Sequence, residues 1–77
     1  ARGEESFPAA VVDALLDGAA PVKVYREYRG LRGGELAEKA GISQGYLSEI
    51  ESGKKSGSLS VLTRLAAALN VELSDLT

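Results

Sequence analysis

The stretch ELAEKAGISQGYLSEIESGKKSG, residues 35–57, decides the fold. Apolar residues recur at helical spacing on both sides of Gly41, which is the pattern of two amphipathic helices. Gly41 ends the first helix, and Ser43 is placed to cap the second by accepting from the amide of Gly45 or Tyr46. A link this short predicts two helices that cross steeply.

The second of these helices, predicted over residues 44–52, has two different faces. Leu47 and Ile50 are expected to point inward. The outward residues are Gln44, Gly45, Tyr46, Ser48 and Glu49. A helix start carries unpaired amides and partial positive charge, so this end can approach a phosphate or enter a major groove.

The flanking sequence also predicts helices. Pro8 at a first helical position and Gly18 bound one short helix, and Pro21 and Gly30 bound the next. The apolar stripe of the first is Val11, Val12, Leu15 and Leu16. The predicted organisation is an N-terminal extension with one short helix, residues 1–20, followed by one domain, residues 21–77.

The C-terminal part continues this pattern. Ser58 is expected to cap a long helix that ends at Asn70 in a left-handed conformation, and Ser74 to start a last turn. The stripe of the long helix is Leu59, Leu62, Leu65, Ala66 and Leu69. No alternating run predicts a strand, so the fold class is all-α.

Composition narrows the function classes. The 77 residues contain no cysteine and no histidine, which excludes disulfides, thiolate or imidazole metal sites, and His- or Cys-based catalysis. The clustered carboxylates Glu35, Glu38 and Glu49 alternate with basic residues, and no sequence pattern around them indicates an active-site pocket. We expect no enzyme, no catalytic residue, no metal and no cofactor. No apolar run approaches 18 residues and no signal-peptide pattern occurs, so we expect a cytoplasmic protein without membrane contact.

Charge is unevenly spread along the chain. The formal net charge is −2, but residues 21–64 hold eight basic and five acidic residues, a net charge of +3. Residues 1–20 carry −3 and residues 65–77 carry −2. A modest local basic field is therefore compatible with a nucleic-acid partner.

The pattern G-L-x-x-x-E-L-A-x-x-A-G-I-S-x-x-Y-L-S-x-I-E-x-G over residues 30–53, followed by LAAALNVELSDL over residues 65–76, resembles the phage-repressor or Xre-like (Cro/C1-type) helix-turn-helix family. The match runs from about Val22 to Leu76. The resemblance implies a five-helix, lambda-repressor-like bundle, here with an extra N-terminal helix. It also implies operator DNA as partner and a homodimer as the binding unit.

The resemblance assigns roles to individual residues. Helix 35–40 would position the recognition helix, residues 44–52. Base contacts would come from Gln44, Gly45, Tyr46, Ser48 and Glu49, with Gly45 lacking a side chain at a reading position. The loop residues Lys54, Lys55 and Ser56 match phosphate contacts of the family. Arg32 and the amide of Gly33, which stand where the family has other residues, would replace a missing phosphate contact. Arg26 and Glu51 match a pair that joins the first helix of the family fold to the end of the recognition helix.

The start of helix 35–40 departs from the family. Arg32, Gly33 and Gly34 stand where the family has a hydroxyl cap followed by glutamine. Arginine has no acceptor for a cap, and each glycine costs about 1 kcal/mol against alanine in a helix. These changes indicate weaker or differently specified DNA binding, or a surface adapted to another partner.

Two functions follow from these observations. The first is a sequence-specific, double-stranded-DNA-binding transcriptional regulator, a repressor acting as a dimer. The alternative is an antitoxin that binds a toxin protein and represses its own operon, because residues 7–31 resemble the lead-in of such regulators. A helix that only caps the core or extends a homodimer is the plainer explanation of that segment. Lys54 and Lys55 also have a plainer explanation as solvated loop residues, and Lys23 and Arg29 are expected in solvent.

Overall fold

The computed structural model describes residues 6–77, and every regular element within them is a helix. The helices are α1 Ala9–Leu16, α2 Pro21–Tyr28, α3 Gly33–Ala40, α4 Gln44–Glu51, α5 Leu59–Leu69 and α6 Leu73–Leu76. The predicted all-α class is confirmed, with α2–α6 as the five-helix bundle and α1 as the extra helix. Residues 1–5 of the predicted N-terminal extension lie outside the described residues.

The core lies between α3, α4 and α5. Its fully buried large side chains are Leu36, Leu47, Leu65 and Leu69. Burying a leucine contributes about 1.5–3 kcal/mol, so these four side chains hold the central helices together. The outer helices add Val22 and Tyr25 from α2, Val11 from α1 and Leu76 from α6. The segment before the bundle and the last helix therefore share one core with it.

Short helices make the helix ends important in this fold. The longest helix has 11 residues and four of the others have eight. Isolated helices of this length are marginal in water. The predicted caps are present: Ser43 accepts from the Tyr46 amide at 3.0 Å, Ser58 accepts from the Val61 amide at 3.1 Å, and Asn70 has φ 56°. No helix within residues 6–77 has the length and apolarity needed to cross a membrane.

Three residues of the predicted apolar stripes lie outside the core. Val12 is 45% exposed, Leu16 is 79% exposed and Leu59 is 67% exposed. At 3.6 residues per turn, Val12 and Leu16 lie about 100° and 140° around the helix from the buried Val11. Leu59 lies about 200° from Val61, which is buried in its place.

Two predicted helix starts are shifted by about one position. Pro8 precedes α1 as its N-cap residue and is not its first helical residue. The last helix begins at Leu73, and its N-cap residue Glu72 donates its backbone N–H to the Asp75 carboxylate at 3.0 Å. These shifts change no packing assignment, because Leu76 is buried as part of the core.

Arg29 is not a solvated residue, contrary to expectation. Its guanidinium donates to the Leu69 carbonyl at 2.8 Å and to the Asn70 carbonyl at 3.1 Å. The same group lies over the ring of Phe7, whose centroid is 5.8 Å away. Phe7 in turn packs edge-on against Tyr25 at 5.0 Å. Arg29 thus closes the C-terminal end of α5 and connects it to the segment before α1.

Candidate nucleic-acid interface

The turn between α3 and α4 is fixed by its backbone. Gly41 has φ 70°, a left-handed conformation that side chains other than those of glycine and asparagine rarely adopt. The Ile42 amide donates to the Ala37 carbonyl at 3.0 Å, which closes the end of α3. Ser43 then caps α4. Three residues therefore set the direction in which α4 leaves α3.

The two faces of α4 differ as predicted from its sequence. Leu47 and Ile50 are buried against the core, whereas Gln44, Gly45 and Ser48 are exposed. Tyr46 and Glu49 are half-buried, and the Tyr46 ring packs partly against the core. The exposed side of α4 is therefore polar, and its opposite side is packed into the core through Leu47 and Ile50.

The side chain of Gln44 lies back over the start of α3. A Cβ atom built on Gly34 would be 3.4 Å from Gln44 Oε1, and one built on Gly33 would be 3.7 Å from Gln44 Nε2. The starts of the two helices therefore meet at this carboxamide. Within residues 6–77 the carboxamide makes no side-chain hydrogen bond, so its donor and acceptor stay available to a ligand.

Glu35 stabilises the start of α3 in place of a side-chain cap at Arg32. The Arg32 backbone N–H donates to Glu35 Oε1 at 2.7 Å. This is one half of a capping box; the other half is missing because an arginine side chain has no acceptor. The sequence carried the signal, a glutamate three residues after the N-cap, but the prediction overlooked it. The Arg32 side chain is exposed at the N-terminal end of α3.

The loop after α4 brings two lysines to the other end of the exposed face. The amides of Lys54 and Lys55 both donate to the Glu49 carbonyl, at 2.9 Å and 3.2 Å. Lys54, Lys55 and Ser56 are exposed. Lys55 Nζ lies 3.4 Å from Glu49 Oε1 and 5.7 Å from the centroid of the Tyr46 ring. The ammonium of Lys55 is thus shared between α4 side chains, an arrangement that was not predicted.

The predicted ion pair between Arg26 and Glu51 is present. Arg26 Nε donates to Glu51 Oε2 at 2.7 Å, and a second guanidinium nitrogen donates to Glu51 Oε1 at 3.0 Å. A third bond joins the guanidinium to the Leu31 carbonyl at 3.0 Å. The hydrogen bonds to Glu51 raise the pKa of Arg26 above its ordinary value. The pair therefore fixes the end of α4 to α2 and to the segment before α3.

These features define a helix-turn-helix protein. Helices α3 and α4 are joined by a three-residue turn, and α4 is buried on one side and polar on the other. No group of three or more His, Cys, Asp or Glu residues in the described part of the chain is arranged to hold a metal ion.

Comparison with known proteins agrees with this class. The chain belongs to the phage-repressor-like, Xre-like helix-turn-helix family, whose sequence model matches residues 22–76. It is 42% identical over 53 residues to an immunity repressor protein of Bacillus phage phi105, a match that covers 69% of this chain and 37% of that protein. It is 39% identical over 56 residues to the HTH-type transcriptional regulator SinR of Bacillus subtilis, covering 71% of this chain and 50% of SinR.

A solved structure resembles the chain over the same region. The crystal structure of the master regulator for biofilm formation SinR in complex with DNA matches with a TM-score of 0.68 at 39% identity. The match covers 71% of this chain and 89% of that chain. The chain spans about half the length of the full SinR protein and little over a third of the phage repressor.

Proposed function

We propose that this chain is a sequence-specific DNA-binding transcriptional regulator, a repressor that acts as a dimer. The proposal is supported by the polar, exposed face at the start of α4, whose opposite face is buried in the core. The fold that carries this helix matches the structure of SinR in complex with DNA. Such a regulator works where the DNA is, which agrees with the expected cytoplasmic location.

Base readout is assigned to the exposed start of α4. The Gln44 carboxamide can donate from Nε2 to adenine N7 and accept at Oε1 from the adenine N6 amino group, which is a bidentate pair in the major groove. Ser48 lies one turn further along the same helix and can donate or accept. Tyr46 offers a half-buried ring edge to a sugar or a thymine methyl. Gly45 adds no side chain and lets the backbone come close to the duplex.

Phosphate contacts are assigned to the two ends of this surface. At one end, the Gly33 amide and the Arg32 side chain would meet one DNA strand. At the other, Lys54 and Ser56 would meet the opposite strand across the groove. Lys54 forms no ion pair within residues 6–77, whereas Lys55 faces Glu49. We therefore assign Lys54 the larger share of the charge neutralisation and Lys55 the smaller.

A dimer would place two copies of α4 in successive turns of the major groove. Helix-turn-helix dimers contact half-sites about 34 Å apart, so the operator is expected to be a near-palindrome. The predicted alternative, an antitoxin that holds a toxin, gains no support from the repressor and regulator named above.

Fluorescence anisotropy titrations test the assignment. The full chain is titrated with a duplex from upstream of its own gene and with a scrambled duplex, at two salt concentrations. Gln44→Ala is expected to reduce the preference for the upstream duplex by about 5- to 150-fold, the value of a bidentate base contact. Lys54→Ala is expected to weaken binding to both duplexes alike. It should also reduce the slope of log affinity against log salt concentration by about one, the value of one phosphate contact.

Lys23→Ala provides the matched control, since Lys23 is an exposed lysine on α2 outside the interface. It should leave both titrations nearly unchanged. If Gln44→Ala and Lys54→Ala behave alike, the division into base and phosphate contacts is wrong. If no duplex is preferred even at low salt, the regulator proposal fails.

A further inference from the structure

We infer that α1 and the groove next to its C-terminal end form the surface through which two copies of this chain associate. In this dimer, Leu16 of each copy enters the groove of the other copy. The inference rests on the proposed function and deepens it, because it names the contact that makes the dimer.

Helix α1 exposes more apolar surface than its packing on the bundle requires. It lies outside residues 22–76, which the family model matches, so it is an addition to the family fold. Val11 is its buried residue. Val12 and Leu16 lie one turn apart on another side of the helix and are exposed, Leu16 at 79%. A helix that only covered the core would need apolar residues on one side alone. Val12 and Leu16, here called the apolar ridge, are therefore available to a second surface.

A groove of about 440 Å³ opens close to the ridge. Gly18, two residues after Leu16, is part of its lining. Four helices supply apolar lining residues, which are Val22, Ile50, Leu62 and Leu76. The ridge and the groove are therefore neighbours on the surface of one chain.

A projecting apolar side chain next to an apolar groove fits a twofold dimer. Both copies in such a dimer use the same patch, so each contact occurs twice around one axis. Leu16 and the groove lie close enough together for both contacts to form around that axis. Each dimer then buries two ridges in two grooves, which makes the surface self-complementary.

The charges of the two surfaces are complementary. Asp13 and Asp17 flank the ridge, are exposed, and form no ion pair within the described part of the chain. Lys55 lines the groove, and its contact with Glu49 is exposed. Glu51, the acid in the groove lining, is already paired within its own chain. The acidic ridge of one copy therefore meets a lysine of the other copy, which favours this orientation over ridge against ridge.

The contact leaves the proposed DNA-binding surface open. Ile50 and Glu51, at the C-terminal end of α4, line the groove, whereas Gln44 begins the helix about 10 Å away. The chain measures 30 × 26 × 22 Å, so the centres of two adjacent copies lie roughly one such width apart. Because the start of α4 is farther from the contact than its end, the two starts can reach the half-site separation of about 34 Å.

Sedimentation equilibrium of the full chain without DNA tests the contact. The wild type is expected to form a dimer with a dissociation constant of about 10–100 μM, since the contact surface is small. Leu16→Asp should raise this constant at least about 30-fold, because the change acts twice in each dimer and places a carboxylate on apolar lining. Circular dichroism checks that the variant is folded, as the exposure of Leu16 predicts.

Ala10→Asp is the matched control. It adds the same charge to α1 at an exposed position about 120° around the helix from Leu16. It should change the dissociation constant by less than about threefold. Equal effects of the two variants, or a wild type that stays monomeric up to about 1 mM, would overturn the inference.

A second measurement locates the contact. In a mixture of ¹³C-labelled and unlabelled chains, nuclear Overhauser contacts between chains are expected from the Leu16 methyl groups to those of Leu62 and Leu76. Contacts between chains at other residues, with none at Leu16, would overturn the inference, because the chain would then dimerise through another surface.

DNA titrations separate this inference from the proposed function. Leu16→Asp should weaken binding to a duplex with two half-sites at least about tenfold and leave binding to a duplex with one half-site unchanged. If Leu16→Asp dissociates the dimer but the wild type prefers no duplex, the proposed function fails while the dimer contact stands. If Leu16→Asp stays dimeric and binds two half-sites like the wild type, the dimer contact is wrong while the proposed function stands.

Discussion

Helix α4 takes part in two ion pairs that differ in almost every physical respect. Arg26 and Glu51 are bonded bidentately, and their side chains are only 15% and 13% exposed. Lys55 and Glu49 approach to 3.4 Å, with side chains 57% and 42% exposed. The first pair joins α2 to α4 through residues that are 25 positions apart in sequence. The second joins the end of α4 to its own following loop.

The difference separates a structural pair from a pair at the proposed DNA-binding surface on the same helix. A desolvated, bidentate pair is costly to break, because the remaining charge is left half-buried. An exposed pair is worth little, since water and salt compete for both partners. The C-terminal end of α4 is therefore held firmly by its pair with α2, whereas the contact between Lys55 and Glu49 contributes little to stability.

Breaking the inner pair should have the largest effect. Glu51→Ala removes the acceptor of two charged hydrogen bonds, and the free energy of unfolding should fall by about 2 kcal/mol. The melting temperature, followed by circular dichroism, should fall on the order of 10 °C. Glu49→Ala is the matched control, with an expected change within about 0.5 kcal/mol. Equal losses would mean that the two pairs do not differ in the way described.

The loss from Glu51→Ala should not depend on pH near neutrality. Because the pKa of Arg26 is raised in the folded chain, the stability this group contributes is fully present below its unfolded pKa. That value lies far above neutral pH, so the arginine stays charged between about pH 6 and 9. The same difference in melting temperature is expected across this range.

Removing the outer carboxylate should have a smaller effect, on DNA and not on folding. Glu49→Gln releases Lys55 and takes a negative charge away from the surface that would meet phosphates. Affinity for any duplex should rise about threefold at low salt, with the gain shrinking at high salt. Glu38→Gln serves as control, since Glu38 is an exposed acid on α3. Weaker binding by Glu49→Gln would instead assign Glu49 a direct base contact.

The sequence predicted those parts of the molecule that depend on local chemistry. Ser43, Gly41 and Asn70 mark helix ends by hydrogen-bonding capacity and backbone freedom, and the structure has them there. The pair of Arg26 and Glu51 came from family resemblance, not from spacing. Residue roles toward DNA remain predictions.

Other features depend on how the helices meet and could not be read locally. Leu16 looked equivalent to Leu15 in a short helix with apolar residues on more than one side, yet only one side meets α2. Arg29 finds its carbonyl partners about 40 residues away in sequence. The approach of Gln44 to the two glycines depends on the crossing of α3 and α4.

Chemical-shift mapping tests the central claim most directly. The ¹⁵N-labelled full chain is titrated with its upstream duplex, and amide shifts are followed residue by residue. The largest changes are expected at Gly33, Gly34, Gln44, Gly45 and Lys54, with little change in α1 and α6. Shifts concentrated on α1 or α6, with the start of α4 unaffected, would contradict the assignment of the DNA-binding surface to α4.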